Sequence, residues 1–255
     1  MARRRLGFWG RFSVCLAKPV LTVLTAPRWW GAAHIPRTGG AIVVANHISH
    51  ADPLVSGWFI YEAGRWPRFL GKASLFRLPV IGALLHRVHQ IPVERGTANA
   101  ARSLDRLVAA VRAGGVVVIY PEGTTTRQPD LWPMAGKTGA ARLALATGAP
   151  LIPVVMWGPQ RIFDPRTGVL RLRLRTPVAV LAGPPIDVTR FAHSDPSRET
   201  LAEMTDLIML TLRDMLVQLR GGTPPPLYRP AMGGVPAARP GAAPVADAAP
   251  VEDAA

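Results

Sequence analysis

Short runs of β-branched residues alternate along this chain with stretches whose apolar positions recur at helical spacing. Strand-like runs fall at 41–45, 68–71, 88–93, 116–120, 151–157, 169–175 and 177–182. Ala41-Ile42-Val43-Val44-Ala45 is continuously apolar, the mark of a strand covered on both faces. Helices are expected at 53–62, 79–86, 98–113, 138–147 and 197–219. In 98–113, Leu104, Leu107, Val108 and Val111 make an i, i+3, i+4, i+7 stripe, and Gly114-Gly115 follows as a C-terminal stop. Ser194-Asp195-Pro196 opens the last helix, whose inward stripe is Leu201, Met204, Ile208, Leu212, Met215 and Leu219. Val169 to Arg175 alternates strictly, Leu170, Leu172 and Leu174 against Arg171, Arg173 and Arg175. That pattern predicts a half-exposed strand with an arginine ladder. The whole reads as one α/β layered domain, a mixed and mostly parallel sheet flanked by helices.

Both ends break the pattern. Pro, Gly and Ala fill 23 of the 35 positions from 221 to 255, a composition that cannot bury enough apolar surface to offset its ordering entropy. This segment is expected to be a disordered tail. At the other end, Arg3-Arg4-Arg5 precedes Phe8, Trp9, Phe12 and Leu16, but Lys18-Pro19 interrupts the run and no cleavage site follows. No stretch there approaches the roughly 20 apolar residues of a membrane span. Residues 1–33 are therefore expected to form a basic amphipathic membrane-interface segment, with Trp29 and Trp30 also at the acyl boundary. The alternative is a packed N-terminal helix pair covering the sheet. The domain proper runs over 34–220.

Charge narrows the partners. Thirty Lys and Arg against 16 Asp and Glu leave a net +14, which calls for an anionic partner. Nucleic acid is disfavoured, because the basic residues are dispersed among apolar elements and no nucleic-acid-binding motif occurs. An anionic membrane surface or a phosphorylated substrate fits better. Cys15 is the single cysteine, so no intrachain disulfide points to an oxidising compartment.

The candidate chemistry follows the first strand. Asn46-His47-Ile48-Ser49-His50-Ala51-Asp52-Pro53 leaves 41–45 and enters a helix, with Asp52 suited to the N-cap and Pro53 to the first helical position. The turn can fold the Asp52 carboxylate back onto His47, and an imidazole held by a carboxylate takes protons from hydroxyls near neutral pH. Two other readings stay open: His47, His50 and Asp52 as metal ligands, and Ser49 as a nucleophile, although no Gly-x-Ser-x-Gly elbow surrounds it.

Three further blocks follow in order. Gly71-Lys72-Ala73-Ser74-Leu75-Phe76 leads to Ile91-Pro92-Val93-Glu94-Arg95; Val116 to Tyr120 runs into Pro121-Glu122-Gly123-Thr124-Thr125; and Gly136-Lys137-Thr138-Gly139 is followed by Ala149-Pro150-Leu151-Ile152-Pro153-Val154. With the His-x4-Asp element, these resemble the four blocks of the 1-acylglycerol-3-phosphate acyltransferase family over residues 35–185. The resemblance implies acyl transfer from acyl-CoA or acyl-carrier protein to the free hydroxyl of 1-acyl-glycerol 3-phosphate (lysophosphatidic acid), with His47 and Asp52 catalytic; the alternatives are another lipid alcohol as acceptor (glycerol 3-phosphate, another lysophospholipid or a lipoamino acid) or a metal-dependent hydrolase. It implies no bound cofactor or metal, and a place at the cytoplasmic face of the cell membrane as a peripheral protein. It also puts Arg95 and the Glu122-Gly123-Thr124 turn beside the substrate phosphate, with Lys72 as a second cation. Glu122, a poor phosphate ligand by charge, is expected to orient Arg95 or another cation. Two departures stand out. Thr125 occupies the place of a usual arginine, leaving Arg127 or Lys137 to meet the phosphate, and Glu94 replaces a common Asp. The apolar residues Phe76, Leu78, Val80, Ile81, Leu84 and Leu85 are read mainly as core, and otherwise as walls of an acyl tunnel.

Overall fold

A computed structural model of the chain describes residues 7–93, 100–192 and 194–229, the side chains of 100–102 excepted. Seven strands form one sheet in the order β1-β7-β6-β2-β5-β3-β4. They are β1 (Thr25–Trp30), β2 (Ala41–Ala45), β3 (Pro67–Lys72), β4 (Ile91–Val93), β5 (Val116–Ile119), β6 (Leu151–Trp157) and β7 (Thr176–Ala182). All neighbouring pairs are parallel except β6 with β7. The helices are α1 (Phe8–Leu24), α2 (Asp52–Glu62), α3 (Pro79–Arg87), α4 (Ala100–Arg112), α5 (Gly139–Thr147) and α6 (Arg198–Arg220).

β2, β5 and β6 read as unbroken apolar runs because both faces of the sheet are covered. Ile42 and Val44 point into a core closed by α4, α5 and α6, while Ala41, Val43 and Ala45 point into a second core built with Val55, Phe59 and Ile60 of α2. The sheet is the middle of three layers. Gly114, at φ +77° after α4, supplies the left-handed turn that stops the helix, and the Gly114 and Gly115 amides return to Val111 and Ala110.

Several expectations need correction. Thr25–Trp30 is an edge strand paired with β7, so Trp29 packs against Trp58 and Phe59, and Trp30 against the other core, instead of lying at an acyl boundary. α1 runs unbroken through Pro19, as a single helix. Residues 169–175 form no strand. Leu170 makes one isolated bridge to Phe163, and the segment is exposed on both sides. α2 starts at Asp52, which frees its carboxylate from capping, and α6 is capped by Ser197, whose hydroxyl accepts the Thr200 amide. Val80, Ile81 and Leu78 are exposed on or beside α3, not buried in the core.

The expected tail starts too early. Residues 221–229 fold back so that the Tyr228 carbonyl accepts the Ala135 amide at 2.8 Å and Arg229 pairs with Asp206 at 2.7 Å. Arg220 stacks over the rings of Trp132 and Trp157. The C-terminal end of α6 and the segment beyond it thus brace the 126–137 loop. The Arg3-Arg4-Arg5 cluster, Glu94, Arg95, His193 and residues 230–255 lie outside the described residues.

Candidate active site

Neighbouring parallel strands end together, and their C-terminal loops meet above the sheet edge, the usual place for a site in such a fold. β2 delivers Asn46 and His47, and β5, its neighbour in the sheet, delivers Tyr120, Glu122 and Gly123. Asn46 is fully buried. Its side chain bonds both the amide and the carbonyl of Met156, which locks the loop to β6.

Three donors converge on one oxygen of Asp52. Oδ2 accepts from His47 Nδ1 at 2.8 Å, from the Ile48 amide at 2.7 Å and from the Ser49 amide at 2.8 Å. The carboxylate is fully buried, its other oxygen has no protein partner among the described residues, and burial raises its proton affinity despite those donors. That strengthens its hold on the imidazole. With Nδ1–H donated to Asp52, the network leaves the lone pair on His47 Nε2.

The ring is fixed from below as well. His47 stacks on Tyr120, centroids 4.3 Å apart and planes 23° from parallel. The Tyr120 hydroxyl is tied to Ser56 at 2.9 Å, and burial keeps it protonated. Phe69 of β3 stacks on Tyr120 in turn. Tyr120 and Ser56 escaped the sequence reading. Tyr120 looked like the end of an apolar strand, and only the i+4 spacing of Ser56 from Asp52 placed it on the same face of α2.

Glu122 faces inward. Its Oε1 accepts the His47 amide at 2.9 Å and its Oε2 the Met134 amide at 3.2 Å. Burial pushes its carboxyl up to about 8. It meets no cation among the described residues; it ties the β2 loop to the 126–137 loop, and Thr126 completes the tie by donating its amide to the His47 carbonyl at 2.7 Å. A protonated or polarised buried carboxyl that holds two backbone donors is a brace, because burying it as a free charge is costly.

The remaining predicted residues are partly gathered. Gly123, at φ +73°, lies directly under the Lys137 side chain: a Cβ there would sit 3.2 Å from Nζ. Thr124 and Thr125 are half-buried beside it. Lys137 thus lies over the turn that carries Thr124 and Thr125. Arg127 is exposed, and its amide meets Met134 Sδ. Lys72 is exposed at the end of β3. Ser49 Oγ donates to the Phe163 carbonyl at 2.7 Å and accepts the Ala51 amide, so it is committed to structure. His50 is exposed and packs edge-on to Phe163. Among the described residues, no three His, Cys, Asp or Glu side chains are grouped to hold a metal ion.

Beside this machinery lies an apolar cavity of about 310 Å³, walled by α1, α2, β3 and α3. Val14 and Leu21, Leu54 and Trp58, Phe69 and Leu85 are among its walls. Pro53, next to Asp52, and Phe69, stacked on Tyr120, connect it to the His47 neighbourhood.

A family model described as acyltransferase matches residues 28–157. This chain belongs to the acyltransferase family. The match takes in His47, Asp52, Tyr120, Glu122, Gly123 and Lys137 and stops at the end of β6. A 1-acyl-sn-glycerol-3-phosphate acyltransferase of Borreliella burgdorferi is 31% identical over 134 residues, which cover 52% of each chain. One from Bacillus subtilis is 25% identical over 210 residues, 80% of this chain and 96% of that protein. The chain thus spans about half the length of the first of these relatives and nearly all of the second. The crystal structure of the 1-acyl-sn-glycerophosphate acyltransferase PlsC from Thermotoga maritima is similar in fold, with a TM-score of 0.55, 20% identity and coverage of 84% of this chain and 85% of that one.

Proposed function

We propose that this protein transfers an acyl group from acyl-CoA or acyl-carrier protein to the free hydroxyl of 1-acyl-glycerol 3-phosphate, giving phosphatidic acid. The observation that carries this reading is the 2.8 Å bond from His47 Nδ1 to buried Asp52, which leaves Nε2 free to act as a base. The named relatives act on that acceptor, by their descriptions.

The reaction runs without a covalent enzyme intermediate. The acceptor oxygen attacks the thioester carbonyl carbon as His47 Nε2 takes the hydroxyl proton, and Asp52 stabilises the imidazolium that forms. The tetrahedral adduct collapses by breaking the carbon–sulfur bond, and the imidazolium proton goes to the departing thiolate. Ester and free thiol leave, and His47 is again neutral. Lys137, with the Thr124 amide, seats the acceptor phosphate, while the Gly123 amide holds the turn by donating to the Tyr120 carbonyl at 2.9 Å. The apolar cavity holds an acyl chain.

The exposed face of α1 supports a place at the membrane surface. Phe8, Phe12, Leu16, Val20 and Val23 share one exposed stripe of the helix, while Gly10, Val14, Ala17 and Leu21 face the body. No helix of the described residues is long and apolar enough to cross a membrane, and α1 in this reading lies in the interface at the cytoplasmic face. An acceptor panel tests the function. Purified protein, one labelled acyl thioester and acceptors with and without the phosphate should give turnover of lysophosphatidic acid far above its dephosphorylated counterpart. Equal turnover of the two contradicts the phosphate seat, and no turnover of either contradicts the activity.

A further inference from the structure

Residues 158–175 lie outside the segment matched by the family model. They leave β6 and return along a tight turn. The Asp164 carboxylate accepts the Arg166 and Thr167 amides, Arg171 N–H donates to the Ile162 carbonyl, and Gly168 takes a left-handed φ of 67°. The turn is held firmly to the active-site side of the domain. Ser49 Oγ bonds the Phe163 carbonyl, and the Arg166 guanidinium reaches the carbonyls of Gln128 and Pro129.

The stretch beyond that anchor is anomalous. The Leu-Arg alternation from 170 to 175 is that of a half-buried strand, yet the leucines are in water: Leu172 is 64% exposed and Leu174 70%. A rigidly anchored segment that shows leucines on its surface lacks a partner for them. Its arginines lack one too. Arg161, Arg171, Arg173 and Arg175 surround a hollow of about 270 Å³ with Thr176. Arg171 has one distant carboxylate, Asp164 at 3.8 Å, and the other three have no ion pair among the described residues. Such a cluster repels itself unless an anion occupies it.

The two features belong to one surface. The Arg175 amide donates to the Val23 carbonyl at 3.1 Å, at the C-terminal end of α1. Leu174 is thereby continuous with the exposed stripe that ends at Val20 and Val23. Arginine heads with leucine side chains between them match the headgroup and upper acyl layers of an anionic bilayer, where basic residues meet phosphates and apolar side chains enter the boundary.

We propose that the 169–175 segment is a second bilayer-docking element, which binds anionic phospholipid headgroups in the four-arginine hollow and, with α1, fixes the orientation of the domain on the membrane. The proposal rests on the reading of the protein as a membrane-surface enzyme, but not on which acceptor it acylates. The segment widens the contact beyond the stripe of α1, and a broad contact fixes an orientation that one amphipathic helix alone does not.

Sedimentation with vesicles tests this, using full-length protein and vesicles of phosphatidylcholine alone or mixed with phosphatidylglycerol. The unaltered protein should partition far more strongly onto the mixed vesicles. Arg173→Ser/Arg175→Ser should lower that partition by about thirtyfold, from about 1 kcal/mol per basic residue at an anionic surface. Arg173→Lys/Arg175→Lys should retain most of it. Leu172→Ser/Leu174→Ser should lower partition about tenfold on both vesicle types. Each variant is also assayed on a short-chain lysophospholipid dissolved as monomers, where turnover should stay unchanged. Partition unchanged in the serine variants overturns the docking role. So does a loss of turnover on the monomeric acceptor with partition intact, because the hollow would then belong to the substrate site. Vesicle binding lost while monomer turnover persists supports the proposal, and a protein that binds vesicles but acylates nothing contradicts only the proposed function.

Discussion

The His47 ring lies flat on Tyr120, 4.3 Å between centroids, so the imidazole is gripped on two sides: by the Asp52 carboxylate at 2.8 Å from Nδ1 and by an aromatic face beneath it. Tyr120 is itself pinned by Ser56. A base held this way loses little orientational freedom on reaching the transition state.

Replacing Tyr120 separates the two contributions. Tyr120→Phe keeps the ring and drops the Ser56 bond, and is expected to cost about 1 kcal/mol of stability with a few-fold change in rate. Tyr120→Ala removes the platform and should lower kcat by more than tenfold while KM for the acceptor moves less. Thermal melts and steady-state acylation of lysophosphatidic acid check both.

Glu122 predicts an unusual pH dependence of stability. Its carboxyl titrates near 8 when folded and in the ordinary carboxylate range when unfolded, so between these values the folded chain holds the extra proton. Stability from this group is present at low pH and is lost as pH rises through about 8. The loss is on the order of a few kcal/mol, and Asp52, also raised, acts in the same direction. Glu122→Gln should flatten the dependence and lower stability by about 1–3 kcal/mol, because its NH2 must face one of the two backbone amides that the carboxyl now accepts. Urea unfolding of both proteins from pH 5 to pH 9 reads the difference.

Ser49→Ala should keep acyl transfer within a few-fold. The hydroxyl is bound to the Phe163 carbonyl, so its removal costs about 1 kcal/mol of stability and no chemistry. Mass measurement of intact protein quenched during turnover should find no acylated species, and an acyl adduct lost in Ser49→Ala contradicts direct transfer.

Lys137 and Gly123 form the phosphate side of the account. Lys137→Ala should raise KM for lysophosphatidic acid about tenfold or more with a smaller change in kcat, by loss of a charge-assisted contact. Gly123→Ala should behave similarly. Its Cβ displaces the lysine chain and the left-handed backbone is strained for alanine, at about 1–2 kcal/mol. Kinetics against acceptors with and without phosphate distinguish this from general damage.

How much was legible in the residues depended on what each element needs from distant parts of the chain. The buried strands announced themselves, because β2, β5 and β6 are apolar on both faces, and the His47–Asp52 pairing needed only a local turn. β1 stayed hidden: Thr25-Ala26-Pro27-Arg28-Trp29-Trp30 shows no alternation, and Pro27 and Arg28 are tolerated because the strand is at an edge. The 169–175 alternation predicted a strand for which the sheet holds no partner. Glu122 stood out in the sequence, but the direction of its side chain did not. Whether it meets a ligand or a backbone amide depends on the 126–137 loop, whose course is set by Arg220 and Tyr228 from the far end of the chain.

The central claim is that His47 is the base for direct transfer. A single-turnover experiment, with enzyme in excess over a defined acyl thioester and saturating lysophosphatidic acid, measures the rate at which phosphatidic acid of the combined mass appears. The account predicts rapid formation by the unaltered protein and a rate lower by about 10²–10⁴-fold in His47→Ala, with an unchanged melting profile. A His47→Ala protein that forms the product at the original rate contradicts it.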